Sequence, residues 1–189
     1  IGRALAEAGA RVTLSSRSKE KGETAASALR NEGLSVQFAA CDVSSPGEVA
    51  GLVEGVVAEH GRLNAMVMSA GLHVLKPALE TTTEEIDSLL AVHVRGGYLC
   101  AQAAARAMIG NGGGKILFIS SMLAEAAVPL QSAYIAAKGG MVSLARALAL
   151  EWAPHDIQIN ALGPQLTRTP LTEGLYADSQ KMEAVIART

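Results

Sequence analysis

Short apolar segments alternate with longer segments of helical period along the whole chain, and this alternation constrains the fold more than any other feature. Two parallel strands need a long crossover, usually a helix, so the alternation predicts βαβ units around a parallel sheet. Several strand segments lack alternating polar residues, which indicates that helices cover both faces. We therefore predict an α/β fold with a doubly wound parallel sheet between two helical layers.

The 189 residues are predicted to form a single domain, 1–189, because no repeat or low-complexity linker divides them. Thr83 is the expected N-cap of the fourth helix, a long one. The predicted strands cover 11–15, 35–41, 63–68, 115–121 and 157–162, and the predicted helices cover 1–8, 19–30, 49–59, 83–108, 132–153 and 178–188.

Composition excludes several classes of protein. The net charge is −2, without long runs of one sign, which argues against a nucleic-acid surface. The cysteines, Cys41 and Cys100, lie in apolar segments without a nearby Cys or His spacing, so we predict no disulfide framework and no metal site. Free thiols favour a reducing compartment, and we expect a cytoplasmic protein. No apolar run of 18 residues predicts a membrane span.

Polar and small residues follow the predicted strands directly. In doubly wound sheets, ligands bind outside the carboxyl ends of the strands. We therefore expect a ligand cleft at this edge, formed by the residues at 15–17, 42, 69–71, 120–121 and 163–164.

The most informative segment runs from the end of the fourth strand into the following helix. Tyr134 and Lys138 are four residues apart and share one helix face, which the loop returns towards Ser121 at the strand end. A phenol has a pKa of about 10, and a nearby ammonium is expected to lower it by roughly 1 to 3 units. Tyr134 would then act as general base or acid, while Ser121 holds the substrate oxygen.

This Ser with Tyr-x-x-x-Lys resembles the short-chain dehydrogenase/reductase family. The resemblance implies a Rossmann-like fold and hydride transfer between NAD(P)(H) and a carbonyl or secondary alcohol, with Lys138 also binding the cofactor ribose. It extends over nearly the whole chain. The other matching positions, all implied to contact the cofactor, are Gly2 at the end of a glycine-rich turn, Asp42 and Val43 by the adenine, Ser69, Ala70 and Gly71 in an Asn-Ala-Gly element, and Pro164 with Thr169 by the nicotinamide.

The chain departs from the family pattern at three positions. Ser69 replaces Asn, Gln165 replaces the Gly after the Pro, and His93 stands where an Asn holds a water of the proton relay. His93 either joins the relay, since each ring nitrogen can form a hydrogen bond, or is a packed core residue. The resemblance also implies truncation at both ends, because the first strand and the C-terminal region are missing, and the fragment alone would then lack most phosphate-binding amides.

Cofactor preference is predicted from the end of the first strand. NAD-selective proteins place an acidic residue there, whereas an Arg suits the 2′-phosphate of NADP. Here Ser16 and Arg17 follow the strand, so we predict NADP over NAD; the alternative is that Arg17 is a solvated loop residue. The segment 110–115 superficially resembles a phosphate loop, but a helix precedes it and a strand follows it, so we predict a connecting turn.

The substrate is predicted to be a small sugar or sugar acid, because the segments around Ser121 and 152–164 look most like the gluconate 5-dehydrogenase type. A 3-oxoacyl-carrier-protein reductase is the alternative within the family, and a non-catalytic regulatory protein is the alternative outside enzymes. Arg168 and Lys76 are candidate cations for an acid group. Helices 83–108 and 132–153 are apolar on more than one face, and family members assemble through them, so we expect a homodimer or homotetramer.

Overall fold

The computed structural model describes residues 1–167. Five strands alternate with helices, as predicted. The strands are β1 (Val12–Ser16), β2 (Val36–Ala40), β3 (Ala65–Met68), β4 (Gly114–Ile119) and β5 (Ile157–Leu162). The helices are α1 (Gly2–Glu7), α2 (Lys19–Asn31), α3 (Pro46–His60), α4 (Thr83–Leu90), α5 (Gly96–Met108) and α6 (Ser132–Trp152). The helix predicted at 178–188 lies outside the described residues.

Every strand pair is parallel, which confirms the predicted βαβ organisation. β1 pairs with β2, with Val12 opposite Val36. β4 lies between β3 and β5, with Lys115 opposite both Ala65 and Gln158. Within residues 1–167 these pairs form two parallel sheets, β1–β2 and β3–β4–β5, rather than the one continuous sheet that was predicted. The reason is that no described strand lies between β1 and β3.

The starts of α3 and α4 differ from the prediction because of local capping. α3 begins at Pro46 rather than Val49, since the Ser45 side chain accepts from the Glu48 amide and a Pro at the first position loses no hydrogen bond. The N-cap of α4 is Thr82, not Thr83. Thr82 accepts from the amide of Glu85, whose carboxylate accepts from the Thr82 amide in return, a reciprocal capping box.

The helix predicted over 83–108 is interrupted. A π-helical segment, Ala91–Arg95, separates α4 from α5. Such segments are rare overall, and those that occur often lie at functional sites, because the wider turn reorients the side chains within it. Here the segment contains His93, one of the three residues that depart from the family pattern.

The main core lies between α5, α6 and the β3–β4–β5 sheet. Alanines of α5 are almost fully buried and allow close packing, and Gly97 permits contact with Phe118, whose Cε1 would lie 3.2 Å from an added Cβ. Cys41 and Cys100 are buried in this core as free thiols, as expected. A smaller cluster joins α1 and α2 to the first sheet. In the described part of the chain, no helix is both long and apolar enough to cross a membrane.

Candidate active site

Two hydrogen bonds tie the end of β4 to α6 and position the predicted catalytic residues. Lys138 Nζ donates to the carbonyl oxygen of Ile119 at 2.8 Å. Ser120 Oγ donates to the backbone oxygen of Lys138 at 3.1 Å. Because both side chains are buried, these bonds are shielded from water and hold the first turns of α6 against the strand end. The sequence analysis did not predict an anchoring role for Ser120.

This anchoring brings the three predicted catalytic residues together. Tyr134 lies one turn before Lys138 on α6 and near Ser121, whose hydroxyl acts to lower the Tyr134 pKa. The Lys138 ammonium lies 5.6 Å from the centre of the Tyr134 ring. Ser121 Oγ also accepts from the Leu123 amide at 3.2 Å, which fixes its side chain at the strand end. The arrangement can hold a substrate oxygen between a hydroxyl and a phenol.

The expectation that Lys138 lowers the Tyr134 pKa is wrong for this geometry. Burial raises the pKa of Tyr134, and the Ser121 hydroxyl offsets only part of that effect. Burial also lowers the pKa of Lys138 to about 8. Desolvation disfavours both charged forms, and the ammonium is directed at the Ile119 carbonyl rather than at the phenol oxygen.

His93 is buried, with 1% of its surface exposed, and its ring meets the Tyr134 ring edge-on with the centroids 5.7 Å apart. Its Nε2 lies 2.8 Å from the carbonyl oxygen of Leu72 and 3.3 Å from the Leu72 amide nitrogen; the shorter contact, with an oxygen that can only accept, favours the hydrogen on Nε2. Nδ1 is buried without a hydrogen-bond partner among residues 1–167. Burial lowers the His93 pKa, so the ring is neutral and Nδ1 is an unused acceptor.

Glycine at position 71 makes room for this histidine. A Cβ on Gly71 would lie 2.7 Å from Cε1 of His93, closer than side chains tolerate. Gly71 therefore has a packing role towards His93 in addition to its predicted cofactor contact. Ser69, Ala70 and Gly71 are themselves exposed in the loop after β3.

A second histidine also contacts Tyr134, and the sequence analysis did not single it out. The His73 ring packs edge-on against the Tyr134 ring, with centroids 4.8 Å apart. Its Nε2 lies 2.8 Å from Oε1 of Gln131, the residue before α6. The available signal was its position two residues after Gly71, in a loop that follows a strand end.

The residues predicted to bind the adenine half of the cofactor lie at the carboxyl ends of β1 and β2. Ser16 and Arg17 are exposed, and Arg17 forms no salt bridge within residues 1–167. Asp42 accepts from the Ser44 amide and hydroxyl at 2.9 and 2.7 Å. These hydrogen bonds lower the Asp42 pKa, with a smaller contribution from the Arg17 charge, and they fix the carboxylate in place.

Two glycines keep the backbone close at this edge. A Cβ on Gly96 would lie 3.0 Å from Cγ2 of Val43, and one on Gly163 would lie 3.1 Å from the Ser121 backbone oxygen. The backbone oxygen of Pro164 also accepts from the Met122 amide at 3.0 Å, joining the loops after β4 and β5. The glycine backbone at this edge and the exposed Arg17 are suited to binding the phosphates of a dinucleotide.

The remaining predicted residues have other surroundings. Gly2 begins α1 and packs against β1, where an added Cβ would lie 2.5 Å from Cδ2 of Leu14. Lys76 is not a free cation for an acidic substrate, because its Nζ lies 2.7 Å from the Glu85 carboxylate. Thr169 and Arg168 lie outside the described residues.

The glycine-rich segment 110–115 lies at the opposite, amino end of β4. Gly110, Gly112 and Gly113 have φ angles of +77°, +84° and +71°, a tight turn between α5 and β4. This confirms the predicted connecting turn. Two open cavities of about 410 and 450 Å³ flank the same end of the sheet and include none of the predicted site residues.

Comparisons with known proteins identify the family of the chain. A family model described as short chain dehydrogenase matches residues 1–180. Gluconate 5-dehydrogenase of Gluconobacter oxydans is 33% identical over all of this chain and 74% of its own length. Cyclopentanol dehydrogenase of a Comamonas species is 32% identical over 98% of this chain and 74% of its own.

A solved structure gives the same result for the fold. A gluconate 5-dehydrogenase from Burkholderia cenocepacia, in complex with NADP and tartrate, is 33% identical with a TM-score of 0.93, over 100% of this chain and 74% of that one. The parallel βαβ architecture is therefore shared by both proteins. This chain belongs to the short-chain dehydrogenase family and is an NAD(P)-dependent oxidoreductase acting on alcohol and carbonyl groups.

Proposed function

We propose that this protein transfers hydride between NADP(H) and a secondary alcohol or ketone of sugar or sugar-acid type. The observation that carries the proposal is the contact of Ser121 with Tyr134 beside a buried Lys138, all held to the end of β4 by the Ile119 and Ser120 anchors. A buried ammonium has an energetic cost that a binding protein would not need. Its retention supports catalysis.

The geometry supports a division of roles in carbonyl reduction. When bound, the nicotinamide would supply the hydride that adds to the carbonyl carbon. Tyr134 is a neutral phenol at pH 7, since burial raises its pKa, and it donates its proton to the carbonyl oxygen. Ser121 holds that oxygen through its hydroxyl. Lys138, anchored to the Ile119 carbonyl beside Tyr134, would contact the cofactor ribose; in oxidation each transfer runs in reverse.

Cofactor selection is assigned to the end of β1. Arg17 is exposed and free of salt bridges within the described residues, so it is available to form two hydrogen bonds with the 2′-phosphate of NADP. The gluconate 5-dehydrogenase structure that matches this chain contains NADP, which supports the same preference. The contacts of Ser69, Ala70, Gly71, Val43, Pro164 and Thr169 with the cofactor are part of the proposal.

His93 is proposed to take part in the proton relay. Its free Nδ1 is an acceptor in the same buried space as Tyr134 and the Lys138 ammonium, whose charge contributes to lowering the His93 pKa. A side chain that only packs would leave no buried polar atom unpaired, because an unpaired atom costs about 1–3 kcal/mol. The packed-residue alternative is weaker for that reason.

We also propose that the protein self-associates through α4, α5 and α6 and that it is cytoplasmic. Ile86, Leu90 and Tyr98 on α4 and α5 and Leu150 on α6 expose 37–83% of their surfaces, an apolar area that a second copy would cover. This supports a homodimer or homotetramer through these helices. The buried free thiols Cys41 and Cys100 support a reducing, cytoplasmic location.

A substrate panel with NADPH and NADH in parallel tests the function. We expect turnover of ketoses or keto-acids of sugar type to exceed that of a 3-oxoacyl thioester, with NADPH preferred. Preference for the thioester would favour the carrier-protein reductase alternative. Cofactor binding without turnover of any carbonyl would contradict the proposed activity.

A further inference from the structure

We propose that His73, held by Gln131, is a specificity-determining residue that accepts a hydrogen bond from a hydroxyl group next to the reacting carbon of the substrate. This inference rests on the proposed function, since it concerns the substrate of the same site. It selects vicinal diols and hydroxy acids over simple secondary alcohols.

The position of His73 follows from two contacts between the loop after β3 and the start of α6. His73 Nε2 lies 2.8 Å from Gln131 Oε1, and the Lys76 amide donates to the Leu130 backbone oxygen at 2.8 Å. These contacts close the loop over one side of Tyr134, while the buried His93 occupies another. Unlike His93, His73 is only partly buried, so a ligand at the Tyr134 hydroxyl can reach it.

The hydrogen bond to Gln131 decides which atom His73 offers to a ligand. An amide oxygen can only accept, so Nε2 carries the hydrogen, and in that tautomer Nδ1 is an acceptor. Within residues 1–167, Nδ1 has no hydrogen-bond partner. Because the two rings are in contact, with centroids 4.8 Å apart, one small ligand can reach both the His73 ring and the phenol of Tyr134.

The same loop offers no competing charge for this role. Lys76 is paired with Glu85, whose carboxylate also accepts from the Thr82 amide, so moving the lysine would break an established capping arrangement. A neutral acceptor therefore recognises the substrate at this position, and the chemistry that suits it is a hydroxyl donor. A site of this kind rejects an analogue that lacks the hydroxyl, because the acceptor stays unpaired.

The test compares oxidation of trans-1,2-cyclopentanediol with that of cyclopentanol, two alcohols that differ by the neighbouring hydroxyl alone. His73→Phe keeps an aromatic ring against Tyr134 and removes both nitrogens. We expect kcat/KM for the diol to fall roughly threefold to tenfold, the usual value of one neutral hydrogen bond, and that for cyclopentanol to stay within about twofold. Gln131→Leu should give a smaller loss, since Nδ1 remains but its tautomer is no longer fixed.

The matched control is His155→Phe, which changes an exposed histidine at the other end of α6 and should alter neither rate. Equal losses for both alcohols in His73→Phe, or no loss for either, would overturn the inference. If the wild-type protein oxidises neither alcohol, the proposed function fails on these substrates, and tartrate binding to the NADP-loaded protein decides instead. Weaker tartrate binding in His73→Phe supports the inference, whereas unchanged or absent binding overturns it.

Discussion

The proposed catalytic residues and the proposed cofactor-selecting residues lie at the same edge of the sheets but in opposite environments. Lys138 and His93 expose 5% and 1% of their surfaces, and burial shifts the pKa of both. Arg17 and Ser69 are exposed in loops after β1 and β3. Burial changes proton affinity and carries a folding cost, whereas exposure leaves a side chain free to bind without either effect. Substitutions in the two regions should therefore have different consequences.

The largest expected effect is on catalysis at the buried phenol. Tyr134→Phe removes the proton donor and keeps the ring contacts with His73 and His93, so kcat should fall about 10³-fold, within the usual range for loss of general acid–base catalysis. NADPH binding, measured by fluorescence titration, should change less than about threefold. Tyr98→Phe, an exposed tyrosine of α5, is the control. Turnover at the wild-type rate in Tyr134→Phe would exclude the assigned role.

Lys138→Met should separate activity from stability. We expect activity to fall at least about 10²-fold, while the free energy of unfolding at pH 7 rises by about 1–2 kcal/mol. A buried ammonium with a pKa near 8 instead of 10.5 destabilises the wild-type protein by about 3 kcal/mol, and the substitution removes this cost. The variant also loses the hydrogen bond to Ile119, which cancels roughly half of the stabilisation. Chemical denaturation of both proteins measures the difference, and a less stable variant would contradict it.

The pH dependence gives a second measurement on the same variant. The folded protein releases the Lys138 proton near pH 8, whereas the unfolded chain keeps it up to the ordinary value of 10.5. Between these values the unfolded state binds more protons, so wild-type stability rises with pH relative to the variant. The difference in the free energy of unfolding between the variant and the wild type should be largest below pH 8 and should decrease as the pH rises from 8 towards 10.5. A difference that is constant over this range would show that desolvation is not its cause.

In the exposed region, a charge change should alter binding alone. Arg17→Gln should lower kcat/KM for NADPH by about 10- to 100-fold, since it removes charged hydrogen bonds to the 2′-phosphate, and should leave NADH within about twofold. Thermal unfolding should not change. Arg11→Gln, at the other end of β1, is the matched control. An equal fall in kcat/KM for NADPH and NADH would mean that Arg17 does not bind the 2′-phosphate.

The same contrast explains what the sequence could predict. Ser121, Tyr134 and Lys138 were found because their spacing and the strand end before them are local features. Arg17 was found for the same reason, as the residue directly after a strand. Local patterns thus predicted which residues lie at this edge, and their roles there stay predictions.

Features that depend on packing between distant segments were missed or wrong. The His73–Gln131 contact joins residues 58 positions apart, so no local pattern reveals it. The direction of the Tyr134 pKa shift depends on burial and on where Lys138 Nζ is directed, and neither is encoded by the i, i+4 spacing. The π-helical segment has no residue signature of its own. The unpaired Nδ1 of His93 likewise became visible only once its neighbours were placed.

The smallest expected effect concerns the junction of the two regions, where exposed Gly71 meets buried His93. Gly71→Ala places a Cβ 2.7 Å from His93 Cε1, and the buried ring has little room to move, so the protein should lose about 1–2 kcal/mol of stability. Gly51→Ala in α3, where no atom lies within 4 Å of the added Cβ, should instead gain up to about 1 kcal/mol. Combining Gly71→Ala with His93→Asn shortens the opposing side chain and should recover most of the loss. If the two substitutions were simply additive in denaturation experiments, the contact between the regions would not be the cause, and the exposed loop would be energetically independent of the buried histidine.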